Sequence, residues 1–191
     1  MENPIINKLT RTFSVELPEL ESIDDYVDFI IPKIYKYSED LYESDYYIET
    51  RWLEVRDDDN FLETVLHIFR DKGEYLQSVD GNIARGGWQV LDTSNTLILN
   101  QLSGNSVVRS ELYDLIFLNS DFLILKKHGD QQRKGQRKYF VLANEMVARG
   151  LEWREVMDLL YNLHRGNSRS FNMILFLLLL IALIILYFSY R

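Results

Sequence analysis

The stretch FLETVLHIFRDKGEYLQSVDGNIARGGWQVL, residues 61–91, decides the fold. Two runs rich in Val, Leu, Ile, Phe and Tyr, 61–70 and 74–79, are separated by Asp71-Lys72-Gly73, and a third, 87–91, follows Asp80-Gly81. The glycine at 73 supplies a left-handed position, and Asp-Gly between β-forming runs is a strong hairpin signal. Apolar runs continue on both sides at 47–56, 96–101, 110–117, 122–128 and 136–142, with Asp92-Thr93-Ser94-Asn95 and Asn119-Ser120-Asp121 as local turn formers. Every link is short, whereas a parallel pair needs a crossover of about a dozen residues, so neighbouring strands are expected to be antiparallel. Eight strands in meander order close into a barrel, which removes exposed edges.

Helical periodicity flanks this region. Ser22 is a good N-cap, Asp24 and Asp25 fall in the first turn, and Ile23, Tyr26, Val27, Ile30, Ile34 and Tyr37 recur at three and four. Pro32 is expected to kink or split this helix near Phe29–Ile31. Residues 145–164 return to helix, most clearly from Leu151, with Leu151, Val156, Leu159, Leu160 and Leu163 on the apolar face. The expected class is mainly β (α+β): an antiparallel eight-stranded meander or barrel, an N-terminal helical segment, a C-terminal helix and one terminal membrane helix. The boundaries read as an extended lead over 1–20, a helical segment over 21–45, a β-domain with its helix over 46–165, a joint over 166–170 and a span over 171–190.

The span is FNMILFLLLLIALIILYFSY, residues 171–190. Twenty helical residues cover about 30 Å, the hydrocarbon thickness of a bilayer. From Met173 to Phe188 every residue is apolar or aromatic, so Phe171, Met173, Leu178, Ile181, Ile185 and Tyr187 read as anchor residues. His164, Arg165 and Arg169 precede the span and only Arg191 follows it, the bias of a body held on the cytoplasmic side. The span lacks GxxxG and contains no Asp, Glu, Lys or His, so nothing points to a tight dimer motif or a proton path. The N-terminus carries no apolar run of signal-peptide length.

The chain carries 21 Lys/Arg against 29 Asp/Glu, three His and no Cys, for a formal charge of −8. That charge argues against nucleic acid as a partner. Without cysteine there is neither a disulfide framework nor a thiolate metal site. Residues 1–60 hold 16 acids against 6 bases, while KKHGDQQRKGQRK, 126–138, holds six bases and one acid. Three readings of this basic hairpin stay open for Lys126, Lys127, Arg133, Lys134, Arg137 and Lys138: contact with anionic headgroups, contact with the acidic third of the same or a neighbouring chain, or a solvated loop.

No catalytic constellation emerges. The sequence holds no GxSxG elbow and no HExxH or HxH pattern. ARGGW is not followed by a helix as a phosphate loop requires, and Asp57-Asp58-Asp59 lacks EF-hand spacing and reads as a solvated turn. His67 reads as a structural histidine within a strand, and His128 as part of a basic turn. No cofactor and no enzyme activity are expected. Trp52, Tyr75, Trp88, Leu97, Leu99, Tyr113, Phe122, Ile124, Tyr139 and Val141 are the expected barrel interior.

The succession of Trp52, a strand ending at Phe69, RDKGEYL, SVDGNIARGGW, TLIL and YDLIFLNSDFLILKKHGD resembles the small lipocalin-like domains of bacteria, especially the Bacteroidota, over residues 46–143. That resemblance implies an antiparallel barrel, in some members an apolar pocket, and no transferable enzyme activity. Three functions follow as expectations. The first is a tail-anchored, non-enzymatic interaction or sensing module that recruits a protein partner to the bilayer. The second is a carrier for a small apolar ligand. The third is a self-assembling, homo-oligomeric membrane effector, as in bacterial defence.

Overall fold

The computed structural model describes residues 17–58, 63–91, 94–103, 106–128 and 137–162. Two compact units divide the chain, Pro18–Met157 and a second formed by Met1–Leu17 with Asp158–Arg191. In the second unit only Leu17 and residues 158–162, which are helical, are described.

The first unit is built on eight strands: β1 Arg51–Glu54, β2 Val65–Phe69, β3 Glu74–Val79, β4 Asn82–Val90, β5 Thr96–Ser103, β6 Ser106–Leu118, β7 Phe122–Lys127 and β8 Tyr139–Asn144. Each pairs with its neighbour in order, all antiparallel, and β1 closes on β8. The Asp-Gly hairpin forms as the sequence predicts. Asp80 and Gly81 both carry positive φ, 47° and 86°, the turn whose twist matches that of the strands it joins.

Directly paired residues share a face, so the register sorts the wall. Trp52 faces His67, Leu99 faces Trp88 and Glu111, and Leu123 faces Leu118 and Leu142. Of these inner positions, Trp52, Leu99, Leu118, Leu123 and Leu142 form one core with Leu41, Tyr47, Phe69, Tyr75, Leu97 and Leu125. One end of the barrel is closed by the chain that enters it. Glu39 N–H donates to Leu118 O at 2.9 Å and Glu49 N–H to Phe69 O at 2.7 Å. Between these points Tyr47 is buried, donating its hydroxyl to Leu41 O at 2.9 Å, and Trp52 Nε1 donates to Tyr47 O at 3.1 Å. The four loops that follow β1, β3, β5 and β7 leave from the opposite end, here the mouth.

Outside, helix α1, Ile23–Ile34, lies on β8. Ser22 caps it by accepting from Asp25 N–H, and its buried stripe is Ile23, Tyr26, Val27, Ile30 and Ile34. The expected break at Phe29–Ile31 does not occur. Pro32 stands two residues from the helix end, and a single-turn 3₁₀ helix, Tyr35–Tyr37, follows directly. The C-terminal helix is also divided differently from expectation. A short α2, Glu145–Ala148, is capped by the extended Arg149 and followed by Gly150 at a φ of 80°, a left-handed position that turns the chain away. Helix α3 then occupies residues 153–162, and Leu151, expected on the buried face, is exposed. Trp153 meets Tyr26 edge-on at 5.7 Å, and Val156 and Met157 are buried.

Candidate functional site

The closed end of the barrel is apolar and aromatic, while its inner wall toward the mouth carries ionisable groups. Alternation places Glu54 beside Trp52 on the inner face of β1, and Glu111 beside Tyr113 on that of β6. His67 on β2 and Lys127 on β7 complete the group. His67 is only 1% exposed. Its Nε2 lies 3.1 Å from Glu54 Oε2 and its Nδ1 lies 2.5 Å from the Tyr75 hydroxyl. A carboxylate at Nε2 requires the ring proton there, which in the neutral ring leaves Nδ1 to accept from Tyr75 O–H. Burial pushes the Tyr75 hydroxyl far above its ordinary range, reinforced by the charges of Glu54 and Glu111, and so keeps it a donor.

Across the barrel, Glu111 accepts from Lys127 Nζ at 2.5 Å, Arg109 at 2.6 Å and the Tyr113 hydroxyl at 2.9 Å. Burial raises both carboxyl pKa values, but the partners outweigh it. His67, Arg56 and Arg137 hold Glu54 below the usual range, and Lys127, Tyr113 and Arg109 do so for Glu111. Phe140 links the two halves, meeting His67 edge-on at 5.0 Å and Tyr113 at 5.5 Å. The result is a proton-ordered chain, Tyr75–His67–Glu54, opposite a carboxylate clasped by two cations. With both ring nitrogens of His67 committed, the arrangement is suited to holding polar groups by hydrogen bonds and charge. Among the described residues no group of three potential metal ligands occurs.

Three described members of the basic hairpin, Lys127, Arg137 and Lys138, pair with this chain's own acids. Lys127 binds Glu111. Arg137 reaches Glu54 at 3.6 Å and Asp57 at 3.8 Å, and also pairs with Asp58. Lys138 Nζ lies 2.7 Å from Asp28, which also accepts the Tyr139 hydroxyl at 2.6 Å. Asp24 accepts the backbone N–H groups of Lys138 and Tyr139, at 2.9 and 3.1 Å, and Asp57 caps the other side of the joint by accepting Ile23 N–H at 2.8 Å. The acidic N-terminal residues thus latch α1 to β8. Burial works against the Asp28 charge, but Lys138 and Tyr139 leave its pKa lowered. Lys126 lies on the outer face of β7, opposite Tyr139. Arg133 and Lys134 lie outside the described residues, as do the anchor residues Phe171, Met173, Leu178, Ile181, Ile185 and Tyr187. Among the described residues no helix is long and apolar enough to cross a membrane.

Six of the ten expected interior residues, Trp52, Tyr75, Trp88, Leu97, Leu99 and Tyr113, line the inner wall. Phe122, Ile124, Tyr139 and Val141 do not. They occupy the opposite, outer face from Leu123, Leu125, Phe140 and Leu142. The strands FLILKK and YFVLAN are buried on both faces, so their apolar runs show no alternation from which a face can be read. From sequence alone Glu54 and Glu111 carry no role, and His67 only a structural one. The available signal was period two: a charged residue two places from an aromatic one in Trp52-Leu53-Glu54 and Glu111-Leu112-Tyr113.

These features define the class of the chain: a closed eight-stranded antiparallel barrel, capped at one end by its own entering segment and carrying an ionisable inner wall at the other. Comparison with profiles of known families, with characterised proteins and with solved structures yields no match.

Proposed function

We propose that this chain is a single-pass membrane protein, anchored through residues 171–190, whose lipocalin-like barrel is a non-enzymatic recognition module on the cytoplasmic side that holds a protein partner at the bilayer. The observation that carries the recognition role is the cluster of Glu54, His67, Tyr75, Glu111, Tyr113 and Lys127 on the inner wall. Ionisable groups taken out of water cost stability, and convergent groups of this kind concentrate at binding sites. The unbroken apolar run from Met173 to Phe188 supports the anchor.

The test is affinity capture of the full chain from its native membranes in mild detergent, beside a Glu54→Gln, Glu111→Gln variant. The expected result is one stoichiometric protein partner with the native chain and a loss of at least tenfold with the variant, while circular dichroism of the two barrels coincides. Recovery of a bare chain in both cases removes the reading. A second reading, carriage of an amphipathic small molecule, is favoured by Phe140 and Tyr113 lying beside the polar groups. It predicts a bound small-molecule mass in native mass spectrometry instead of a protein.

A further inference from the structure

The hairpin of β5 and β6 overhangs the barrel. β6 meets β7 only from Tyr113 onward, aided by one further bond from His128 N–H to Leu112 O, and β4 pairs with β5 only as far as Gln101. Ser106–Glu111 therefore project past the last rung with β7 by about 20 Å, at roughly 3.3 Å per residue. Beyond the bulge at Gln101/Leu102 the ribbon pairs only with itself. Near its end aliphatic side chains are exposed, Leu102 at 39%, Val107 at 56% and Val108 at 63%, with Ile83 of β4 at 67%. The sequence from Thr96 to Val108, TLILNQLSGNSVV, contains no charge in a chain that is 26% charged. Arg109 follows immediately, paired to Glu111.

An uncharged ribbon with exposed aliphatic residues is the kind of edge that soluble proteins protect with charge or cover. We infer that Leu102, Val107 and Val108, near the end of this hairpin, seat in the headgroup–acyl boundary of the bilayer, a contact additional to the proposed anchor. The inference rests on the anchored reading above. Tethering holds the barrel at high effective concentration beside the lipid, so a weak apolar contact becomes populated.

The cysteine-free sequence allows a direct test. A single Val107→Cys carries an environment-sensitive fluorophore in the full chain, reconstituted in phosphatidylcholine–phosphatidylglycerol vesicles. Glu43→Cys, on the segment crossing the capped end, is the control. The expected result is at least twofold stronger quenching by lipid-borne spin labels at 107 than at 43, with the reverse order for aqueous iodide. A chain that floats with the vesicles but shows equal iodide access at both positions overturns the hairpin contact and leaves the anchor standing. Excimer emission from pyrene at 107 also overturns it, since a second copy then covers the tip. A chain that does not float overturns both.

Discussion

Trp52→Ala should lower the stability of the barrel by about 3–5 kcal/mol, the cost of removing a large aromatic side chain from a packed core. Trp52 is fully buried. It lies where the strand wall meets the capping segment, and its indole N–H satisfies Tyr47 O at 3.1 Å. Tyr47 in turn meets Phe69 and Trp88 edge-on at 6.0 and 5.5 Å. Truncation therefore opens a cavity and orphans a buried carbonyl together. Trp88, only half-buried, hydrogen-bonds Arg70 O at an exposed position, so Trp88→Ala should cost appreciably less. Urea titration of both variants checks this. Equal midpoints for Trp52→Ala and Trp88→Ala would show that the capped end is not the anchor of the core.

Glu54→Ala should be the most damaging change at the inner wall, about 3 kcal/mol at neutral pH, because it leaves His67 Nε2–H unpaired in the interior. Arg137 loses a partner in the same step. Glu54→Gln keeps an acceptor for Nε2–H and should cost about 1 kcal/mol. The pair also separates in acid. The Glu54 carboxyl sits below its ordinary value of 4.5 in the folded chain. Its contribution is then fully present above that value and fades as pH falls through the folded pKa, where the folded state must take up the proton. Asp28, Asp58 and Glu111 are shifted the same way, so the native barrel should lose stability progressively below the ordinary carboxylate range. Glu54→Gln removes one such group, and its stability should fall less steeply there. Denaturant midpoints collected from pH 7 down to pH 3 measure both slopes, and parallel curves would refute the ion-pair account of Glu54.

The barrel was legible in the sequence because its turns are local. Asp71-Lys72-Gly73, Asp80-Gly81 and Asn119-Ser120-Asp121 each fix a reversal within a few residues, and antiparallel order follows. The strand limits were less so. β4 begins at Asn82 rather than Gly87, since Asn82–Arg85 look polar and Gly86-Gly87 look like a turn. Gly86 is in fact a packing requirement, for a Cβ there would strike the Asn100 carbonyl. Which face of β7 and β8 is inward was not readable, because both strands are buried outside as well as inside the barrel. The partners of the site were hidden for a different reason. Glu54 and Glu111 stand 57 residues apart in a chain rich in acids, and only the closed register brings both onto one wall. Arg137 and Lys138 likewise meet Asp58 and Asp28 across distances of 79 and 110 residues, beyond the reach of any local pattern.

The central claim is that this barrel is tied to a bilayer by residues 171–190. Its most direct measurement is flotation after alkaline carbonate extraction, comparing the full chain with one lacking that segment. The account predicts that the full chain stays with the lipid and that the shortened chain is released as a folded barrel with unchanged β-sheet circular dichroism. A full chain extracted by carbonate, or a shortened chain that floats equally well, would contradict it.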